Sequence, residues 1–283
     1  MWKSIRLGAS RRWQEGVAFG LAVLGAIWLL TEVGTRSSAG LDHWLDEHGT
    51  PYLGFAIFCA LVGFLWAIYE PRKVAFDIPL TSTRLTLKYG NLFKEDADWL
   101  IGVNEFFDSR IGDVVAKGSI HGQVICDYFG GDEAKFRTQV TPALQPFTGT
   151  TIPRTVGETT RYEIGTTAVL DRGDKHIYLV ALSRTDVSTN KAQSSIPELW
   201  TALSAALCKV HERGNGQPLA LPLLGNGRAS INLPPQHLLR LVVLAIVDYA
   251  KTAQLPNSVS ILLHEDCFSV LDLTEIRRDW STK

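Results

Sequence analysis

A chain of 283 residues with 28 Lys and Arg against 29 Asp and Glu has a formal net charge of −1; this gives no global attraction to nucleic acid, and no basic block interleaved with aromatics appears. The length allows one large domain or two modest ones. Cys59, Cys126, Cys208 and Cys267 are widely spaced, with no CxxC pair and no metal-ligand spacing, so they read as small hydrophobes in a reducing compartment rather than as a disulfide framework.

The N-terminal quarter stands apart in hydropathy. Residues 1–14 hold Lys3, Arg6, Arg11 and Arg12 and no acidic residue. The chain is uncharged from Gly16 to Leu30, between Glu15 and Glu32, and again from Thr50 to Tyr69. At ~1.5 Å per residue, about twenty residues cover the hydrocarbon core of a bilayer. The two runs therefore read as membrane-spanning helices over 14–33 and 51–69. A cleaved signal peptide is the competing reading of the first run; no clean small-x-small cleavage site follows it, and a second span comes next. The loop between the runs holds Asp42, Asp46 and Glu47 against Arg36, while Arg72 and Lys73 follow the second run. The positive-inside rule then puts both termini in the cytoplasm. Neither run carries a charge in its interior, which argues against a transport pathway. Small residues at helical spacing (Gly16 and Gly20; Ala56, Ala60, Gly63 and Ala67) permit close packing, within the hairpin or between copies.

After Pro71 a region of about 210 residues begins near Ala75 and alternates strand-like with helix-like pieces. Arg84–Tyr89 alternates with period two and ends at Gly90-Asn91; Asp98–Asn104 reads as an inner strand. Helices are expected over His121–Phe129 and Asp132–Leu144, the second with Asp132 as a candidate N-cap. Strands Tyr162–Asp171 and His176–Ser183 flank the turn Arg172-Gly173-Asp174, and Lys191–Ser195 reads as a flexible loop. Pro197–Glu212 is amphipathic, Pro235–Thr252 is apolar nearly all round, Ser258–His264 is a last strand and Val270–Trp280 a final helix. This alternation predicts an α/β sandwich with a mixed, largely parallel sheet.

The stretch Pro218–Ser230 organises the rest. An apolar run, Leu219 to Leu224, suits a strand buried on both faces, and it breaks into Gly225-Asn226-Gly227-Arg228 before the next helix. Strand, glycine turn and helix can gather backbone N–H groups around a phosphate, at the strand end where open α/β sheets hold ligands. An ordinary tight turn is the competing reading. Two further segments would meet it at the same rim: Asn104 to Gly112 and Ser119 to Gln123. His121 is either a hydrogen-bonded structural histidine or a ligand contact. Of Phe106 and Phe107, at least one belongs to the core, and the other can stack on a ligand. Asp108 either bonds a ligand hydroxyl or caps the next turn. Arg228 either neutralises a phosphate or points to solvent, and Phe268, just past the last strand, is a stacking candidate by position.

Gly90-Asn91-Leu92, Val103-Asn104 and Leu221 to Arg228 together resemble a macro domain. More narrowly, Asn104 to Ser109, Ser119 to Gln123 and Pro222 to Ser230 resemble the macro-like domain of the Thoeris antiphage effectors, in the version that begins with two membrane helices. The resemblance implies a three-layer macro-like sandwich over 75–283, behind a transmembrane hairpin over 1–74. It implies a multi-pass protein of the bacterial inner membrane, with no catalytic residues, metal or cofactor. Its expected ligand is an ADP-ribose-derived signal, such as histidine–ADP-ribose, made from NAD by a TIR-domain partner. Binding would drive homo-oligomerisation and disruption of the lipid bilayer. Leu224, Gly225, Asn226, Gly227 and Arg228 correspond to the loop around the pyrophosphate, and Asn104 to the asparagine facing the distal ribose. Ser119, His121, Gly122 and Gln123 would shape that same end, beside Phe107 and Asp108. Asn91 stands where many macro domains place an adenine-reading aspartate. The glycine triplet that usually follows the first asparagine is replaced by Phe106 to Gly112, which speaks against the alternative of a membrane-tethered ADP-ribosyl hydrolase, since that loop normally helps to hold the scissile bond. An ADP-ribose-binding scaffold is the other alternative.

Overall fold

In the computed structural model, which describes residues 2–227 and 231–280, the chain divides into two units, Met1–Arg72 and Lys73–Lys283. The first is a helical hairpin, α1 (Trp2–Ser37) and α2 (Ala39–Ala67). Both helices are long and apolar enough to cross a membrane, and little of either apolar segment is buried. Trp28, Leu30, Phe58 and Trp66 are all exposed. The helical geometry breaks at Arg12 in α1 and at His48 in α2. Pro51 explains the second break, because it has no N–H to give the preceding turn. Small residues mesh the pair: a side chain at Gly16 would meet Phe64 and Ile68, one at Gly20 the Ala60 carbonyl, and one at Gly63 Phe19 and Val23. These small residues are therefore used within the hairpin. At its open end Arg12 donates to the Tyr69 carbonyl at 3.3 Å and pairs with Glu70 at 3.1 Å.

Among its described residues the second unit has ten strands: β1 (Lys73–Asp77), β2 (Arg84–Tyr89), β3 (Asp98–Asn104), β4 (Thr150–Thr151), β5 (Thr160–Arg161), β6 (Thr167–Arg172), β7 (Lys175–Thr185), β8 (Ala192–Gln193), β9 (Leu219–Pro222) and β10 (Ser258–Leu263). Its helices are α3 (Ile120–Gln123), α4 (Glu133–Leu144), α5 (Ile196–Arg213), α6 (Pro235–Thr252) and α7 (Leu273–Trp280). The main sheet runs β1-β2-β10-β9-β3-β7-β6, with β8 beside β7. Its five central strands are parallel, and β1 and β6 are antiparallel edges. β4 and β5 form a separate small hairpin.

Strand alternation builds the three layers. Leu100, Tyr178, Val180, Leu219, Leu221, Val259 and Ile261 pack with the buried sides of α5 and α6. Their neighbours Trp99, Ile101, Ile177, Leu179, Ala220 and Leu262 pack on the other side with Val124, Phe136 and Val140. Successive strand side chains point to opposite faces, so a sheet apolar on both is covered on both. The result is the expected three-layer α/β sandwich.

Local chemistry sets the helix starts. Asp132 caps α4 by accepting from Lys135 N at 2.9 Å. Ser195 and Glu198 form a reciprocal capping box on α5. Four expectations change. The strand expected over Tyr162–Asp171 begins only at Thr167, as β6, because the chain turns at Gly165 with φ +96°. The helix expected over His121–Phe129 is the short α3 followed by one π turn, Val124–Tyr128. The final helix begins at Leu273, after a 3-10 turn at Glu265–Ser269, because Asp272 accepts from Glu275 N at 3.0 Å. Lys191–Ser195 is held rather than loose: β8 pairs with β7, and Ser194 donates to the Leu182 carbonyl at 2.8 Å. The edge strand β1 was not anticipated.

Candidate functional site

The parallel strands β2, β10, β9, β3 and β7 all end at one rim. β3 and β9 pair through two residue pairs, Asp98 with Leu219 and Trp99 with Ala220. Beyond them β3 continues beside β7 and β9 beside β10. The strand order reverses at this junction, because β3 leads outward to β6 and β7 while β9 leads back to β10. Such a switch point opens a crevice at the carboxyl ends of the strands. A register slip between Val103 and Asn104 gives β7 one extra residue, Leu182, just below the rim. Gly102 makes room for it, since a Cβ there would lie 2.6 Å from Leu182 Cδ2 and 3.4 Å from Leu224 Cδ2.

The loop after β9 is shaped by its main chain. Leu223 N donates to the Leu262 carbonyl at 3.2 Å, and Leu223 and Leu224 are buried. Gly225 has φ +79°, and Ile231 crowds the place of its missing side chain. Asn226 Nδ2 donates to Cys267 Sγ at 3.4 Å, which joins this loop to the turn after β10. Burial raises the Cys267 thiol above its ordinary pKa. Gly227 is different: it is exposed, and a Cβ there would meet nothing within 4 Å. Arg228 lies outside the described residues.

The loop after β3 is shaped by side chains. Asn104, Glu105, Phe106, Phe107, Asp108 and Ser109 are all buried. Glu105 Oε1 accepts from Thr185 N at 3.2 Å and faces Arg161 Nε at 3.1 Å, while Oε2 lies 3.4 Å from Arg184 Nη1. Phe106 lies beneath two guanidinium groups, with Arg154 Cζ 4.1 Å and Arg161 Cζ 5.3 Å from its ring centre. Phe107 has φ +52° and packs edge-on to Tyr162, with 5.6 Å between ring centres, inside the core layer. Asp108 is ion-paired with Arg154 at 3.0 Å, both side chains fully buried.

The remaining expected residues are placed as follows. Ser119 caps α3, accepting from Gly122 N at 3.0 Å and donating to the Ala116 carbonyl at 2.7 Å. Gly122 lies so close to that carbonyl that a side chain would not fit. Gln123 Nε2 donates to the Gly118 carbonyl at 3.2 Å. His121 is buried against Phe136, its Nε2 has no hydrogen-bond partner among the described residues, and burial pushes its pKa down to about 4. Asn91 is exposed and caps the turn Leu92–Lys94 by accepting from Phe93 N at 2.9 Å. Phe268 is buried, edge-on to Tyr89 with 5.1 Å between ring centres. The rim thus gathers Asn91, Asn104, Leu224 to Gly227 and the Phe268 turn at one sheet edge, while Phe107 and Asp108 are enclosed within the loop after β3. Sequence reasoning missed Arg154, Arg161, Arg184 and Asn190 around that loop; the signal for Arg154 was Gly157, whose φ of +91° sets it against Asp108 and Arg154. Among the described residues no group of three or more His, Cys, Asp or Glu side chains is arranged to hold a metal ion.

Comparison with known proteins adds a family to this geometry. No curated protein matches the chain. Among solved structures, a glycine-to-valine mutant of the Oceanobacillus iheyensis macrodomain with ADPR is 11% identical, with 73% of this chain and 97% of that one covered and a TM-score of 0.49. The same macrodomain with MES bound is 11% identical over 73% and 98% of the two chains, with a TM-score of 0.47. With ADP it is 11% identical over 73% and 97%, with a TM-score of 0.44. The model of the family described as "Thoeris protein ThsA, Macro domain" matches residues 85–264, from the second strand of the sheet to the end of the last, and the chain belongs to that family.

Proposed function

We propose that this chain is a membrane-anchored receptor for an ADP-ribose-derived signal. The observation that carries the reading is that β3 and β9 stop pairing beyond Trp99 and Ala220, with the glycine bend after β9 on one side and Asn104 on the other. Main-chain N–H groups of Leu224 to Gly227, with Arg228, take the pyrophosphate. The open space at Gly227 lets the ligand approach the backbone. Asn104 meets the distal ribose, and the segment Ser119 to Gln123 shapes that end beneath it. Asn91 and Phe268 lie on the adenine side. Family membership supports this assignment of the pocket.

The signal, of which histidine–ADP-ribose is one form, is made from NAD by a TIR-domain partner. Both termini and the macro domain lie on the cytoplasmic side of a bacterial inner membrane, following the basic flanks of the two apolar helices. Ligand binding favours an assembled state of several copies, whose hairpins cluster and disrupt the bilayer. This requires tighter binding to the assembled state, since equal affinity for both states shifts nothing. The role is sensing rather than turnover. Isothermal titration of the detergent-solubilised full chain with ADP-ribose and its conjugates tests the reading. Heat of binding, a raised melting temperature and ligand recovered unchanged by chromatography are expected. No heat and no thermal shift with any of them sinks it, and cleaved product would make the chain a hydrolase.

A further inference from the structure

Asp108 is held in a way that points to a task other than touching a ligand. Its carboxylate is fully buried and accepts from Asn104 Nδ2 at 2.8 Å, from Glu158 N at 2.6 Å and from Arg154 Nη1 at 3.0 and 3.2 Å. Its own N–H donates to Asn104 Oδ1 at 3.1 Å. A carboxylate only accepts and a backbone N–H only donates, so these two bonds settle which way the Asn104 amide is turned. One amide N–H and one carbonyl lone pair of Asn104 remain for other partners.

Arg154 extends the hold to two more segments. Its Nη1 donates to the Glu158 carbonyl at 3.0 Å and its Nη2 to Asn190 Oδ1 at 3.1 Å. The loop after β3, the bend between β4 and β5, and the turn after β7 are thereby tied at one point. Phe107 and Asn190 pass through it with φ near +52° and +54°, conformations that side chains seldom adopt. An enclosed ion pair adds little net stability over apolar packing of the same volume. What it supplies here is a single arrangement of donors and acceptors.

The geometry points to the Asp108–Arg154 pair as a positioning device that holds the Asn104 amide in one orientation toward the distal ribose, so that the pocket prefers ligands carrying that ribose over ADP. This rests on the reading of the crevice as an ADP-ribose site. With the pair gone, Asn104 Nδ2 loses its charged acceptor, and the Asp108 N–H alone lets the amide tilt away from the distal ribose. ADP has no distal ribose and uses the other loop, so the ratio of the two affinities reports the aim of Asn104. General loosening of the fold lowers both affinities together.

The test is isothermal titration of ADP-ribose and ADP into the full chain in detergent, with melting curves alongside, for the wild type and three variants. Asp108→Asn leaves Arg154 buried without its anion. The double variant Asp108→Asn with Arg154→Gln removes both charges, so no uncompensated ion is left inside. It is expected to melt cooperatively, to bind ADP within about twofold of the wild type, and to bind ADP-ribose about tenfold more weakly, the worth of one well-aimed hydrogen bond. Arg154→Lys keeps the buried cation and removes the planar fork; a loss of about threefold for ADP-ribose, with ADP unchanged, is expected on the same grounds. Equal losses for both ligands, or an unchanged affinity ratio in the lysine variant, overturn the proposal. A wild type that binds neither ligand overturns instead the reading of the site on which it rests.

Discussion

The loops after β9 and after β3 leave the sheet on either side of one gap, yet different parts of the chain hold them in place. After β9 the main chain turns on a glycine with φ +79°, and Asn226 and Gly227 are exposed. After β3 six consecutive residues are buried, and their polar groups are committed to one another and to Arg154, Arg161 and Thr185. The first loop is exposed at Asn226 and Gly227, with the Asn226 N–H turned back to the Leu223 carbonyl and its side chain to Cys267. The second keeps a shape, and depends on residues far away in sequence. One loop thus leaves main chain exposed at the rim, while the other holds a fixed, enclosed shape.

The sharpest way to break this contrast is to remove one charge from the closed side. Asp108→Ala leaves a buried guanidinium without its anion and should cost about 3–5 kcal/mol, read as a large fall in melting temperature. An unchanged melting curve would mean that water reaches the pair. Acid should come next. The folded-state pKa of His121 is lowered from 6.5 to about 4 by burial, so the unfolded chain binds the extra proton first. The stability this contributes is present above pH 6.5 and is lost as the pH falls toward 4, up to about 3 kcal/mol. His121→Phe should flatten that slope in melts across this window, and a slope that persists assigns it to another group. On the open side, Gly225→Ala forces an unfavourable φ and crowds Ile231; about 1–2 kcal/mol of lost stability is expected in a denaturant melt. Gly227→Trp should change stability least, by under about 0.5 kcal/mol, because nothing surrounds that position. It should nevertheless abolish ligand-induced heat in titration; retained binding would move the ligand away from this bend.

The same contrast explains what could be read in the chain beforehand. Leu219 to Gly227 was legible because a buried strand and a positive-φ turn are both local: apolar run, then glycine. The start of α4 was legible for the same reason, since Asp132 bonds to the N–H three residues on; Ser195, which caps α5 in the same way, reads from sequence as part of a loop. Asp108 finds Arg154 46 residues away, through a bend with no periodic pattern, so neither residue announces the other. The late start of β6 was missed because Tyr162 to Asp171 is rich in strand-forming residues, and Gly165 alone marks the turn. In the candidate site, main-chain features could be anticipated, whereas the partners that bury Phe107 and Asp108 could not.

The meshing of the two N-terminal helices has a mechanical consequence. Contacts run from Gly16 and Gly20 against Ala60, Phe64 and Ile68 to the hydrogen bond between Thr31 and Tyr52 near the connecting turn. Helices that touch backbone to backbone along such a length resist sliding and splaying. A sideways force on either helix therefore meets one stiff strut, which tilts and turns as a piece.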